Sequence, residues 1–137
     1  MNWKRFFLAS LAVFAVFRAG DYIIHGIILA PTYQSLAEVW RSDMQSYMWI
    51  LTVVGVFFAL LFTFIFTRGY ESKGPAEGLR YGLLIGLLLS GAGSFQQYVV
   101  YPIPLSLALQ WFGFGMVEFL IAGLLAASIY KGPSRAD

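Results

Sequence analysis

Four runs of apolar residues, at 6–30, 47–67, 81–101 and 105–130, alternate with short polar segments. Each is near or above the roughly 20 residues that an α-helix needs to cross a bilayer. The pattern predicts an all-α, polytopic membrane protein. Its fold would be a four-helix transmembrane bundle forming a single domain over residues 1–137. The first run also has a signal-peptide-like start, with Lys4 and Arg5 ahead of an apolar stretch from Phe6 to Phe17. Phe17-Arg18 stands where the small residues of a cleavage site belong, and the apolar pattern resumes at Tyr22, so the run reads as a retained span.

The connecting segments carry their own signals. Between spans one and two, Leu36, Val39 and Trp40 recur at helical spacing among polar residues, which predicts a short interfacial helix within 31–43. Tyr33 and Trp40 suit the aromatic belt at a membrane surface. The segment 69–74 reads as a solvated turn. Pro75 and Pro104 suit the first positions of the helices that follow them. Ser35-Leu-Ala-Glu-Val-Trp40 echoes Ser106-Leu-Ala-Leu-Gln-Trp111, with Pro31 and Pro102 the same interval ahead, as two copies of a helical hairpin would.

Composition agrees with this picture. The chain is 59% hydrophobic and 12% charged, too apolar for a soluble domain of 137 residues. With no cysteine, disulfides and thiolate metal sites are excluded. The net charge of +2 does not form a nucleic-acid patch, because the basic residues flank the apolar runs. Lys4, Arg5, Arg68, Lys73, Arg80, Lys131 and Arg135 fall on one side and Arg41 on the other. That imbalance predicts both termini in the cytoplasm.

Span three has small residues at every fourth position: Gly78, Gly82, Gly86, Ser90 and Ser94. Such a face lets a second helix approach closely, either inside the same bundle or from another chain. Extended outward, it reaches Gln97 and Tyr101.

Charged residues inside the spans are the most informative feature, since each costs about 2.5–3.5 kcal/mol near the bilayer centre on insertion scales. Counting 1.5 Å per residue from the cytoplasmic basic anchors puts Arg18 and Glu118 at a common depth of roughly 20 Å. Asp21, Gln96 and Gln97 follow, with His25 nearest the outer surface. Arg18, Asp21, Tyr22 and His25 share one helical face, and Glu118 shares its own with Trp111, Gly115 and Ala122. One account is internal compensation, Arg18 pairing with Asp21 or Glu118. The other is a site in which Arg18, Asp21, His25, Gln96, Gln97 and Glu118 bind a cation, relay protons or orient a polar headgroup. Asp21 and His25 supply only two metal ligands, with Arg18 beside them, so no metal is expected. A single histidine excludes bis-histidine haem, and no cofactor is expected. Phosphate loops, nucleophile elbows and paired zinc motifs are missing, which points away from an enzyme; chemistry on a lipid within the bilayer is the enzymatic alternative.

Several short motifs, Asp21-Tyr-Ile-Ile-His25-Gly26, Trp40-Arg41, Met48-Trp49, Glu77-Gly-Leu-Arg-Tyr-Gly82, Pro102-x-Pro104 and Glu118 with Gly123, resemble a group of small, uncharacterised four-span bacterial membrane proteins. The resemblance covers nearly the whole chain. It implies a bacterial inner-membrane setting and the four-helix layout, and it brings no activity, cofactor or assigned site. The leading functional expectation is a non-enzymatic membrane protein that acts by lateral association, as an accessory or assembly subunit or a homo-oligomer. Its partners would be lipids and another membrane protein or itself, and no nucleic acid. The alternative is a binder or conduit for a small solute, proton or lipid, built on the polar layer.

Overall fold

A computed structural model of the chain describes residues 1–131; Arg135, counted above toward orientation, lies outside them. Those residues form helices and turns with no strand. Four continuous helical stretches, Trp3–Ile28, Met44–Arg68, Pro75–Val100 and Leu105–Ile129, are long and apolar enough to cross a membrane. The first comprises α1 (Trp3–Ile23) and a π-helical turn (Ile24–Ile28), and leads into α2 (Ala30–Ser35). The second is α3 (Met48–Arg68) with a 3-10 turn ahead of it. The third divides into α4 (Pro75–Gly86), a second π-helical turn (Leu87–Gly91) and α5 (Ala92–Val100). The fourth is α6 (Leu105–Ile129). Asn2 caps α1 by accepting from the Arg5 amide at 3.2 Å.

The helices pack as an arc. α1 lies between α3 and α6, and α4 lies along α6. At the end holding the start of α1 and the end of α6, Phe6, Ala9, Val13, Ala59, Phe62, Phe66, Phe119, Ala122, Ala126 and Tyr130 form one buried cluster. Tyr81 closes the arc there, donating to the Phe62 carbonyl at 2.6 Å and so tying α4 to α3. At the opposite end Ile24, Leu29, Ile103 and Leu107 make a second, smaller cluster, covered by Tyr33, Trp40, Trp111 and Phe114.

The small residues of α4 set the closest approach. A Cβ on Gly78 would strike the Gly123 carbonyl, and would sit 2.5 Å from Ala127 Cβ. On Gly82 it would strike the Phe119 carbonyl oxygen, with the Phe119 carbonyl carbon 3.0 Å away. On Gly86 it would lie 3.0 Å from Phe119 Cβ. The stripe is therefore spent on α6 of the same chain, where backbone meets backbone and dispersion holds the pair. Strict fourth-residue spacing drifts by about 40° per step on an ideal α-helix, so five such residues would not share a face. The π turn at Leu87–Gly91, with more residues per turn, takes up part of that drift and keeps Ser90 and Ser94 on the α6 side.

The segment 31–43 is not one helix. It holds all of α2 but its first residue, a 3-10 turn at Ala37–Val39, and then extended backbone at Trp40. Trp40 folds back, its indole donating to the Tyr33 carbonyl at 3.1 Å. The matching segment after Pro104 is regular helix throughout, so the sequence echo does not become a structural repeat. Nor is 69–74 a plain turn. The buried Glu77 carboxylate accepts from the amides of Glu71 at 2.6 Å and Lys73 at 3.0 Å, pinning the loop to the start of α4.

Candidate polar cavity

A cavity of about 350 Å³ lies between the two clusters, walled by the first, third and fourth long helices and by α2. Its polar lining is His25, Tyr33, Ser90, Ser94, Gln97, Trp111 and Glu118; Ile24, Leu89, Phe114 and Phe119 supply much of the apolar remainder. His25 and Gln97 are exposed and stand at its open side, whereas Ser94 is buried. Both π-helical turns border it: His25 belongs to the first, Leu89 and Ser90 to the second. In the first, the Leu29 amide donates to the Ile24 carbonyl at 2.8 Å, a five-residue step. Such turns interrupt the ordinary ladder and are frequent at functional sites.

Tyr33 is the hub of the polar side. Its hydroxyl accepts from Trp111 Nε1 at 2.7 Å and makes a short hydrogen bond with His25 Nδ1. While accepting from the indole, the phenol still has its own proton to give to Nδ1, an arrangement that matches an Nε2–H tautomer for His25. That Nε2 faces Asp21 Oδ1 at 3.8 Å, one helical turn back. Burial pushes the Tyr33 phenol above its ordinary value, and the Trp111 hydrogen bond offsets part of the rise. The hydroxyl thus stays protonated and able to donate through the physiological range. Reading Tyr33 from sequence as a belt residue missed this role, because the π turn and α2 are what swing it back over His25.

Glu118 occupies the deep end. Its side chain packs against Gly20 of α1: a Cβ on Gly20 would strike Oε1 and lie 2.9 Å from the carboxyl carbon. Oε1 is wholly buried and has no hydrogen-bond partner. Among the described residues Glu118 enters no ion pair.

The expected meeting of Arg18 with Glu118 does not occur. Glu118 packs at the level of Gly20, two residues from Arg18, but a shared level leaves azimuth open. Gly20 faces α6, and two residues along an α-helix is a turn of about 200°, so Arg18 points away and is exposed. No ion pair among the described residues includes it. Asp21 stands outside the cavity and reaches it only through His25. Gln96 and Gln97 separate in the same way. Gln97 continues the line of Ser90 and Ser94 into the cavity, whereas Gln96 lies in a shallow apolar groove with Phe95, Val99 and Val100. Of the six polar-layer residues, then, His25, Gln97 and Glu118 converge, and Arg18, Asp21 and Gln96 do not. The helix-packing residues Gly82 and Gly86 lie against α6, while Ser90 and Ser94 reach the cavity wall.

Gly20, Tyr33 and the π turns escaped the sequence reading. Gly20 carried one usable signal, being a glycine inside a span at a level close to that expected for Glu118. Comparison of the chain with protein-family models, with curated proteins and with solved structures finds no match.

Proposed function

We propose that this is a small multi-pass membrane protein that binds a small hydrogen-bonding molecule in the polar cavity. In this reading it lies in a bacterial inner membrane with both termini cytoplasmic, and the short helical segment after the first span rests at the outer interface. The observation that carries the proposal is the convergence of His25, Tyr33, Ser94, Gln97 and Glu118, from four separate elements, on one space of about 350 Å³. That volume suits a small ligand, and the lining combines apolar and aromatic side chains with polar groups that could orient one. Polar groups at that depth are costly in a bilayer unless water or a ligand meets them.

Lateral association loses its main support, because the small-residue face is occupied by α6. The exposed apolar side chains of α3, among them Trp49, Val54 and Phe57, fit contact with lipid tails.

The absence of cysteine makes the test clean. Single cysteines at Ser94 and Gln97, in vesicles, are expected to react with water-soluble methyl methanethiosulfonate. A cysteine at the outward-facing Leu88 is expected to stay protected by lipid. Ser94 and Gln97 positions as unreactive as Leu88 would sink the proposal.

A further inference from the structure

We infer that the cavity takes an organic monocation, a protonated amine or a quaternary ammonium, with Glu118 as its counter-charge. The inference rests on the cavity reading above and adds the sign and kind of the ligand.

Among the residues lining the cavity there is one carboxylate and no lysine or arginine. Glu118 holds an Oε1 that is buried without a partner, and Arg18, the cation expected at its level, is exposed and enters no ion pair among the described residues. An ionised carboxylate in that setting lacks a counter-charge, and an isolated buried charge is among the costliest groups a fold can hold. His25 does not supply it, since Tyr33 donates to its Nδ1 and Asp21 takes the field of its Nε2. An anion would meet the carboxylate head-on, and a neutral molecule could offer it a hydrogen bond but no counter-charge. A hard metal ion is held by several ligands, carboxylates above all, and no group of three His, Cys, Asp or Glu side chains able to hold one occurs among the described residues. An organic cation needs no coordination set. It gains from aromatic walls, and Tyr33, Trp111, Phe114 and Phe119 all line this space.

The test titrates the full chain, purified in dodecyl maltoside, with choline and with 3,3-dimethylbutan-1-ol, a neutral molecule of the same shape. Choline is expected to bind saturably and at least about ten-fold more tightly than the alcohol. Glu118→Gln is expected to bring choline down to the level of the alcohol. Equal binding of the two probes, no saturable binding of choline, or undiminished choline binding by Glu118→Gln each overturns the inference. A second measurement does not depend on that variant folding. A cysteine at Gln97 should react with trimethylammonioethyl methanethiosulfonate at least about ten-fold faster than with its sulfonatoethyl counterpart. Equal rates, or a faster anion, overturn the cation while normal labelling by the neutral reagent leaves the cavity standing; loss of labelling by all three reagents removes the cavity itself.

Discussion

Replacing Gly82 by alanine tests the packing on which the cavity depends. The added methyl would meet the Phe119 carbonyl oxygen, with the Phe119 carbonyl carbon at 3.0 Å and Leu120 Cα at 3.1 Å. All of these are backbone atoms, which no rotamer change can clear. α4 and α6 must therefore part, and every dispersion contact along their shared face weakens together. Inserting a methyl into such a contact costs about 1–3 kcal/mol, against which alanine returns about 0.5–1 kcal/mol of helix propensity. The net expectation is a loss of about 1–2 kcal/mol. Gly113, on the outer side of the same α6, is the matched control: a Cβ there meets nothing within 4 Å, so Gly113→Ala should gain the propensity term alone. The propensity gain is common to both, so the two variants should differ by the packing cost alone, about 1–3 kcal/mol, or roughly 4–12 °C in thermal midpoint for a chain of this size. Circular dichroism at 222 nm during heating in detergent gives both midpoints. Equal midpoints, or a more stable Gly82→Ala, would refute the backbone contact. If Gly82→Ala instead lowers the oligomer mass without moving its midpoint, the stripe belongs to a contact between chains.

Two further outcomes concern the loop that joins α3 to α4. Gly74 has φ 75° and ψ −158°, a region open to glycine and strained for other residues, so Gly74→Ala should cost about 1–3 kcal/mol although a Cβ there meets no neighbour. Gly69→Ala, at φ −103°, should stay within about 0.5 kcal/mol of the parent, and a Gly74 variant equally silent in thermal unfolding would contradict the assignment. The Lys73 ammonium beside Glu71 holds that carboxyl below its ordinary 4.5, by hydrogen bond first and charge second. Because the folded-state value is the lower one, the small contribution of this exposed pair is present above pH 4.5 and fades as pH falls through the lowered value. Comparing midpoints at pH 6 and pH 3 should show a smaller drop in Lys73→Gln than in the parent; parallel drops would dissociate the shift from Lys73.

The long helices were legible because a bilayer-length apolar run is a strong and local signal, and the stripe from Gly78 to Ser94 identified the face of the third helix that packs. Azimuth was not legible. Charges placed by depth alone put Arg18 opposite Glu118, yet a two-residue offset from Gly20 turns the guanidinium away. A one-residue difference likewise sends Gln97 into the cavity and Gln96 out of it. The π turns were hidden for a related reason: nothing in Ile24-His-Gly-Ile-Ile28 departs from ordinary helical composition, and the five-residue hydrogen bond emerges only against the neighbouring helices. Glu77 stood in the sequence only as part of a short motif, whereas its carboxylate accepts from two amides of the loop it follows.

These departures from regularity have a common location, and that is informative about why they persist. A π turn gives up regular i→i+4 hydrogen bonds, and a buried carboxylate oxygen without a partner costs about 1–3 kcal/mol or more. Such features survive when the surrounding structure determines them or when they serve a site. Here the two π turns lie on different helices, distant in sequence, and both border the space that Glu118 lines. The first orients His25 toward Tyr33; the second keeps Ser90 and Ser94 facing α6. Straightening either helix would move polar groups out of the cavity and leave an apolar seam of the kind already present at the terminal end. The irregular backbone and the polar lining therefore describe one feature, and a ligand that satisfies Glu118 would repay both costs at once.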